Sequence, residues 1–225
     1  MPVLELKERA LLIYEILDGL SPSEIQFLDE RDPFRFLISV ILSAQTTDRI
    51  VNVVVKDLFA AYPDAAALAA ATQEDVESII YATGFYRAKA KNIIAAAQEL
   101  VDRPVPSTME ELIVLPGVGR KTASCVLGDI YGKPAIIVDT HFSRVVNRLG
   151  LVDEKDPVKV EFGIAEIIAP ELQYRFSMTV NLWGRTVCLA KRPLCEECAI
   201  GHLCPSRDFF LQKYANERSG RPSGR

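Results

Sequence analysis

The chain has little with which to staple itself together. Its 225 residues include only five cysteines, and four of those crowd into one short stretch, too few and too unevenly placed for a disulfide scaffold. Long apolar runs are also missing: the most apolar segment, residues 36–44, is about half of what a bilayer crossing needs and reads as a buried helix. Residues 1–9 mix both charge signs with leucine, so they lack the basic start and apolar core of a secretory signal, and a soluble cytoplasmic chain is expected. Basic excess is absent as well. Against 30 Asp+Glu stand 26 Lys+Arg, a formal net charge of -4, which lacks the electrostatic footprint usual for a nucleic-acid-binding domain.

What is present is the material of a globular core. Hydrophobic residues make up 49% and charged residues 25%, which excludes disordered, collagenous and low-complexity proteins. The length suits one large domain or two small ones. Apolar residues recur at three- and four-residue spacing and alternating runs are scarce, so the expected class is all-α. Expected helices span 3–18, 36–44, 87–101, 108–114, 120–131, 139–149, 157–169 and 171–188, with capping signals at Ser21, Thr72 and Ser107. Residues 218–225 read as a polar tail.

Between two of these helices lies Leu115-Pro-Gly-Val-Gly119. Pro116, Gly117 and Gly119 suit a tight reversal, Val118 suits packing between the helices, and the amides that open the second helix suit an anion such as phosphate. An ordinary turn has the same composition. Lys121 follows in the first helical turn beside Arg120, where the positive helix end and a like charge both disfavour an ammonium ion, as a nucleophilic lysine requires. Asp139 opens another helix as its N-cap, an orientation compatible with catalysis, and Gly150 ends it. His141, one of two histidines, suits a structural or hydrogen-bonding role.

The densest signal is Cys188, Cys195, Cys198 and Cys204, spaced C-x6-C-x2-C-x5-C. Four thiols in one short segment point to a metal centre. The single C-x2-C pair and longer loops favour an iron–sulfur cluster over zinc, with zinc left open. Cys125, within a helix, reads as a buried small hydrophobe.

Together Leu115-Pro-Gly-Val-Gly-Arg-Lys-Thr-Ala123, Val138-Asp-Thr-His141, the cysteine spacing and Leu42-Ser-Ala-Gln-Thr-Thr-Asp48 resemble the endonuclease III family of DNA glycosylases, within the helix-hairpin-helix superfamily. The resemblance covers nearly the whole chain. It implies a six-helix domain over 25–133, with a helix-hairpin-helix at about 108–131. A second helical domain is formed by 1–24 with 134–213 and carries a [4Fe-4S] cluster on Cys188, Cys195, Cys198 and Cys204, and 214–225 are left as a flexible tail. Substrate is expected in the cleft between the domains.

The implied activity is removal of oxidised pyrimidines from duplex DNA, with cleavage at the resulting abasic site, by a monomer that associates with the nucleoid if the source is bacterial. Lys121 is implied as nucleophile and Asp139 as its carboxylate partner. DNA contacts are implied for Gln45 as plug, Phe85 as wedge, Gly117, Val118, Gly119, Arg120, His141, Lys191 and Arg192. Two features depart from the family pattern: Phe85 where leucine is common, and Ser124-Cys125 where Asn-Val is common. A mismatch-specific glycosylase without lyase activity typically lacks the lysine, and a non-catalytic hairpin module predicts phosphate contact without covalent chemistry.

The family expectation also changes how the charge is read. Residues 1–102 carry 9 basic and 16 acidic side chains, whereas 103–225 carry 17 and 14, so the acidic average conceals a basic half. Arg87, Lys89 and Lys91 are expected to add a local basic group to the acidic half.

Overall fold

The computed structural model describes residues 5–219. Among them run twelve α-helices and no strand: α1 (Leu6–Leu20), α2 (Pro33–Leu42), α3 (Asp48–Ala61), α4 (Ala65–Ala69), α5 (Gln73–Ile80), α6 (Tyr86–Glu99), α7 (Met109–Leu112), α8 (Arg120–Asp129), α9 (Thr140–Arg148), α10 (Pro157–Ala165), α11 (Pro170–Thr186) and α12 (Arg207–Ser219). Two 3-10 turns, Tyr81–Thr83 and Gly201–Leu203, complete the set. The chain divides into two compact units, residues 26–133 and residues 1–25 with 134–225.

Most helices of the first unit begin at a side-chain cap. Asp32, Thr47, Asp64, Thr72 and Thr108 each accept an amide from the first turn of α2, α3, α4, α5 and α7. Such caps satisfy donors that a helix leaves unpaired, each worth about 1 kcal/mol. At α7 the cap is Thr108, one residue later than Ser107. The unit holds seven α-helices where six were expected, α4 and α7 being only 5 and 4 residues long. Its centre is α2, buried continuously from Phe36 to Leu42, which packs against α3, α6 and α8. This explains why residues 36–44 read as an all-apolar run: a helix enclosed on every side has no polar face to keep.

The second unit is built on α9 and α11. Phe142 and Phe176 are fully buried and meet edge to face at 6.0 Å, within a core that also takes Ala10, Ile13 and Leu17 from α1 and Val160 and Ile164 from α10. Glycine at 184 permits the close approach, since a Cβ there would come within 3.0 Å of the His141 and Val145 side chains. Gly150, at φ +62°, stops α9 with the paired bonds Leu151 N–H to Val146 O and Gly150 N–H to Asn147 O, both 3.0 Å, a Schellman ending. Arg9 of α1 donates to the carbonyls of Leu149 and Gly150 at 2.6 and 2.8 Å, fixing the N-terminal helix to that corner.

Several sequence expectations shift. Ser21 ends α1 rather than opening a helix, its N–H bonding Asp18 O and its hydroxyl bonding Leu17 O. The segment expected as one helix over 157–169 stops at Ala165, because Pro170 begins α11 and the residue before a proline disfavours helix. The tail expected from 214 starts inside α12, where Phe210 and Tyr214 stack and Lys213 lies over two rings; residues 220–225 lie outside the described residues. Cys125 is half-buried rather than buried. Lys89, expected on a basic surface, is 5% exposed. No helix among the described residues is long and apolar enough to cross a membrane.

Candidate active site and cysteine centre

The hairpin joins α7 to α8 through a turn closed by Val118 N–H to Leu115 O at 3.1 Å. Its two glycines have different jobs. Gly117 has φ +78°, and a Cβ there would stand 2.9 Å from Asn92 Cβ and 3.1 Å from Ile41 Cγ2, so both backbone and packing demand glycine. Gly119 has ordinary extended backbone, and a Cβ there would meet nothing within 4 Å, so its bareness serves the open side of the turn. Val118 is buried as packing required.

Gly119 is the N-cap of α8 and no side chain caps that helix, which leaves its first turn to an outside acceptor and its positive end exposed. Lys121 sits in this turn, exposed, with no hydrogen bond or ion pair among the described residues. The other face of α8 buries Ala123, Ser124, Val126 and Leu127, so the helix is rigidly seated while Lys121 projects outward.

Asp139 is half-buried in the second unit and caps α9 with one oxygen only. Its Oδ1 accepts the N–H groups of both His141 and Phe142 at 2.8 Å. Its Oδ2 accepts no hydrogen bond among the described residues, so the helix fixes the carboxylate plane through one oxygen and leaves the other open. His141 Nδ1 lies 3.4 Å from Arg144, a structural contact on the same helix.

Three described residues other than glycine have positive φ: Gln45 at 55°, Phe85 at 49° and Arg192 at 52°. All three are among the positions that the family resemblance assigns to DNA. Left-handed backbone costs a residue with a Cβ about 1–2 kcal/mol, and such outliers persist where surrounding structure enforces them. Gln45 sits at the α2–α3 turn, closed by Thr46 N–H to Ser43 O at 3.3 Å, and is exposed. Phe85 is 66% exposed. Arg192 is held by its N–H donating to the Tyr214 hydroxyl at 3.0 Å, beside exposed Lys191.

Cys188, Cys195, Cys198 and Cys204 line one cavity together with Trp183, Arg148 and Phe210. Two arginines of α9 brace the loop that carries the cysteines. Arg144 donates to Cys188 O at 3.0 Å and Gly184 O at 2.7 Å, while Arg148 donates to Leu189 O at 2.7 Å and reaches Cys188 Sγ at 3.4 Å. Arg148 also lies over the Phe210 ring, 4.4 Å from its centroid. Burial, foremost, pushes the thiols of Cys195, Cys198 and Cys204 up, and the neighbouring sulfurs add to it. The Trp183 indole N–H is buried without a hydrogen-bond partner, yet lies near enough to Cys198 to oppose that upward push. No group of three or more His, Cys, Asp or Glu among the described residues is placed to hold a single metal ion.

Sequence reading missed Arg144, Arg148 and Trp183, which stand about 40 and 5 residues before the first cysteine and carry no motif. In each unit separately, the nominated residues gather: Lys121 with Gly117, Val118, Gly119 and Arg120 on the hairpin, and Asp139 with His141 at the start of α9.

Comparison with known proteins bears on these arrangements. The family description of the HhH-GPD superfamily, base excision DNA repair proteins, matches residues 38–170. A curated protein named endonuclease III from Synechocystis sp. is 46% identical over 204 residues, covering 89% of this chain and 93% of that one. The solved structure of a non-covalent endonuclease III–DNA complex superposes with a TM-score of 0.87 at 37% identity, covering 92% of this chain and 98% of the other. A trapped endonuclease III–DNA covalent intermediate gives 0.86 at 37% identity, covering 91% and 98%.

Proposed function

The chain belongs to the endonuclease III family within the HhH-GPD superfamily of base excision DNA repair proteins, and from that premise we propose that it removes damaged bases from duplex DNA and cleaves the abasic site left behind. Oxidised pyrimidines are the substrate class. The observation that carries this reading is Lys121: an exposed, unpartnered amine in the first turn of an uncapped helix, directly after the Leu115–Gly119 reversal.

The unprotonated Lys121 Nζ attacks C1′ of the damaged nucleotide as the glycosidic bond breaks and the base departs with that electron pair. Opening of the sugar ring gives a protonated Schiff base between Nζ and C1′. Loss of a C2′ proton then expels the 3′ phosphate by β-elimination, and water releases the lysine. Asp139, whose Oδ1 is taken by the amides of His141 and Phe142, offers its Oδ2 as the negative charge that stabilises the cation developing on the sugar. The damaged base has to leave the stack first, which costs a few kcal/mol. Phe85 and Gln45 supply the wedge and the plug, both on strained backbone that holds them outward before DNA arrives.

The hairpin grips phosphate through backbone amides, and its glycines separate folding from binding. Gly117→Ala is expected to cost about 2 kcal/mol in urea unfolding through strain and the contacts with Asn92 and Ile41. Gly119→Ala is expected to cost no more than about 1 kcal/mol, yet to weaken duplex binding roughly tenfold by standing a methyl before the amides. Equal effects of the two on stability would contradict this division.

The cysteine centre suits a [4Fe-4S] cluster held by Cys188, Cys195, Cys198 and Cys204. Support comes from the donor set: four thiols around one cavity, an unpartnered indole N–H and an arginine facing sulfur. A cubane takes one thiolate on each iron and so needs its ligands wider apart than a single zinc does. When bound, the cluster supplies four iron–thiolate cross-links. Buried thiols with raised pKa hold their protons until metal displaces them. Purified protein is expected to contain about four irons and four acid-labile sulfides per chain. Zinc without sulfide would overturn the assignment.

A further inference from the structure

Lys89 is the only charged side chain that is buried among the described residues, at 5% exposure. No carboxylate pairs with it there, and burial pulls its ammonium toward the neutral form. A bare desolvated cation of this kind is costly unless a specific contact requires it. The contact is Thr83 O, which accepts from Lys89 Nζ at 2.8 Å.

That carbonyl immediately precedes the reversal formed by Gly84, φ +67°, and Phe85, φ +49°. On the far side of the reversal, Phe85 O accepts the backbone N–H of the same Lys89 at 3.0 Å. One residue therefore clasps both ends of the two-residue turn. Thr83 is itself anchored, 1% exposed, with its hydroxyl donating to Ile80 O at 2.8 Å. Gly84 N–H bonds Tyr81 O at 3.3 Å and completes the support. Without such a clasp the segment has two reasons to relax: left-handed backbone at a residue with a Cβ, and a phenyl ring left in water.

We infer that Lys89 is a positioning residue, a strut that holds the Thr83–Phe85 reversal so that Phe85 projects for insertion into the DNA stack. An aliphatic residue at 89 would fill the space without joining the two ends of the turn. The inference rests on the reading of Phe85 as wedge, and the two are separable by experiment.

Single-turnover base removal is measured on a duplex carrying thymine glycol, and strand cleavage on a duplex carrying a preformed abasic site, where no base needs to be expelled. Phe85→Ala and Lys89→Met are each expected to slow base removal about tenfold and abasic-site cleavage less than about twofold. The double variant is expected to be no slower than Phe85→Ala alone, because the strut acts only through the ring. Amide hydrogen exchange at residues 84–86 is expected to quicken in Lys89→Met while α8 and α11 keep their protection. Lys89→Gln, whose amide stops short of the Thr83 carbonyl, gives the same readouts should the methionine variant not fold.

Additive losses in the double variant, or equal losses on both substrates, would overturn the strut. If Phe85→Ala leaves base removal intact, the wedge reading fails. If Phe85→Ala slows it and neither Lys89 variant does, only the inference about Lys89 fails.

Discussion

Replacing Lys121 by alanine is expected to lower both base removal and abasic-site cleavage by at least about 10⁴-fold, the scale on which losing a covalent nucleophile acts. Duplex binding is expected to change less than about threefold, since one exposed cation is a small share of the phosphate contacts. The fold should be untouched. Lys121 makes no hydrogen bond or ion pair among the described residues, while α8 is seated by Ala123, Ser124, Val126 and Leu127 on its other face. Single-turnover rates, a binding isotherm and a urea melt together check these three statements. Loss of binding in proportion to loss of rate would place Lys121 in phosphate recognition rather than chemistry. Lys121→Arg is expected to be as inactive as alanine, because a guanidinium keeps the charge but offers no free amine at neutral pH.

Asp139 gives the second large effect, and its two oxygens allow charge to be separated from capping. Asparagine caps a helix as well as aspartate does, so Asp139→Asn is expected to keep the bonds to His141 and Phe142 and to leave stability within about 0.5 kcal/mol. It removes the negative charge proposed to stabilise the developing sugar cation, and turnover is expected to fall roughly 10²–10³-fold. Asp139→Ala loses the cap as well and is expected to cost a further 1 kcal/mol or so in stability. Chemical denaturation and single-turnover kinetics on the same two variants check this. If Asp139→Asn kept full activity, the carboxylate would be a cap and nothing more.

How much of this was legible in the sequence depends on whether the information was local. The all-α class followed from spacing alone, and α9 followed from the signals that flank it directly, the Asp139 cap and the Gly150 stop. The hairpin was equally plain, because the positive φ at Gly117 is required locally. The functional reading of Lys121 needed several motifs in order, since one lysine after a turn is commonplace.

Long-range partners were invisible. Arg144 and Arg148 belong to no motif, and only folding brings them against the cysteine loop some 40 residues on. Trp183 carried no polar signal until its N–H was found buried beside sulfur. Lys89 was misread for a related reason. Within Arg87-Ala-Lys-Ala-Lys91 an alternation of lysine and alanine looks like a solvated face, but a helical turn places Lys89 inward while Lys91 remains exposed. Tertiary enclosure, which no window of sequence records, decided its fate. The strain at Gln45, Phe85 and Arg192 was hidden in the same way, because none of the three is a residue type that announces left-handed backbone.

The charge pattern now has a physical setting. Arg144 and Arg148 are spent on backbone carbonyls and sulfur within the second unit, so fewer of the basic residues of 103–225 face solvent than their number implies. Affinity is therefore expected to lean on amides of the α8 turn and on shape more than on counterion release.

The central claim is that Lys121 forms a covalent bond with DNA, and borohydride reduction during turnover tests it most directly. Wild-type protein incubated with an abasic-site duplex and borohydride is expected to give one stable protein–DNA adduct, which peptide mapping places on Lys121. No adduct, or an adduct on a different amine with Lys121 unmodified, would contradict the account.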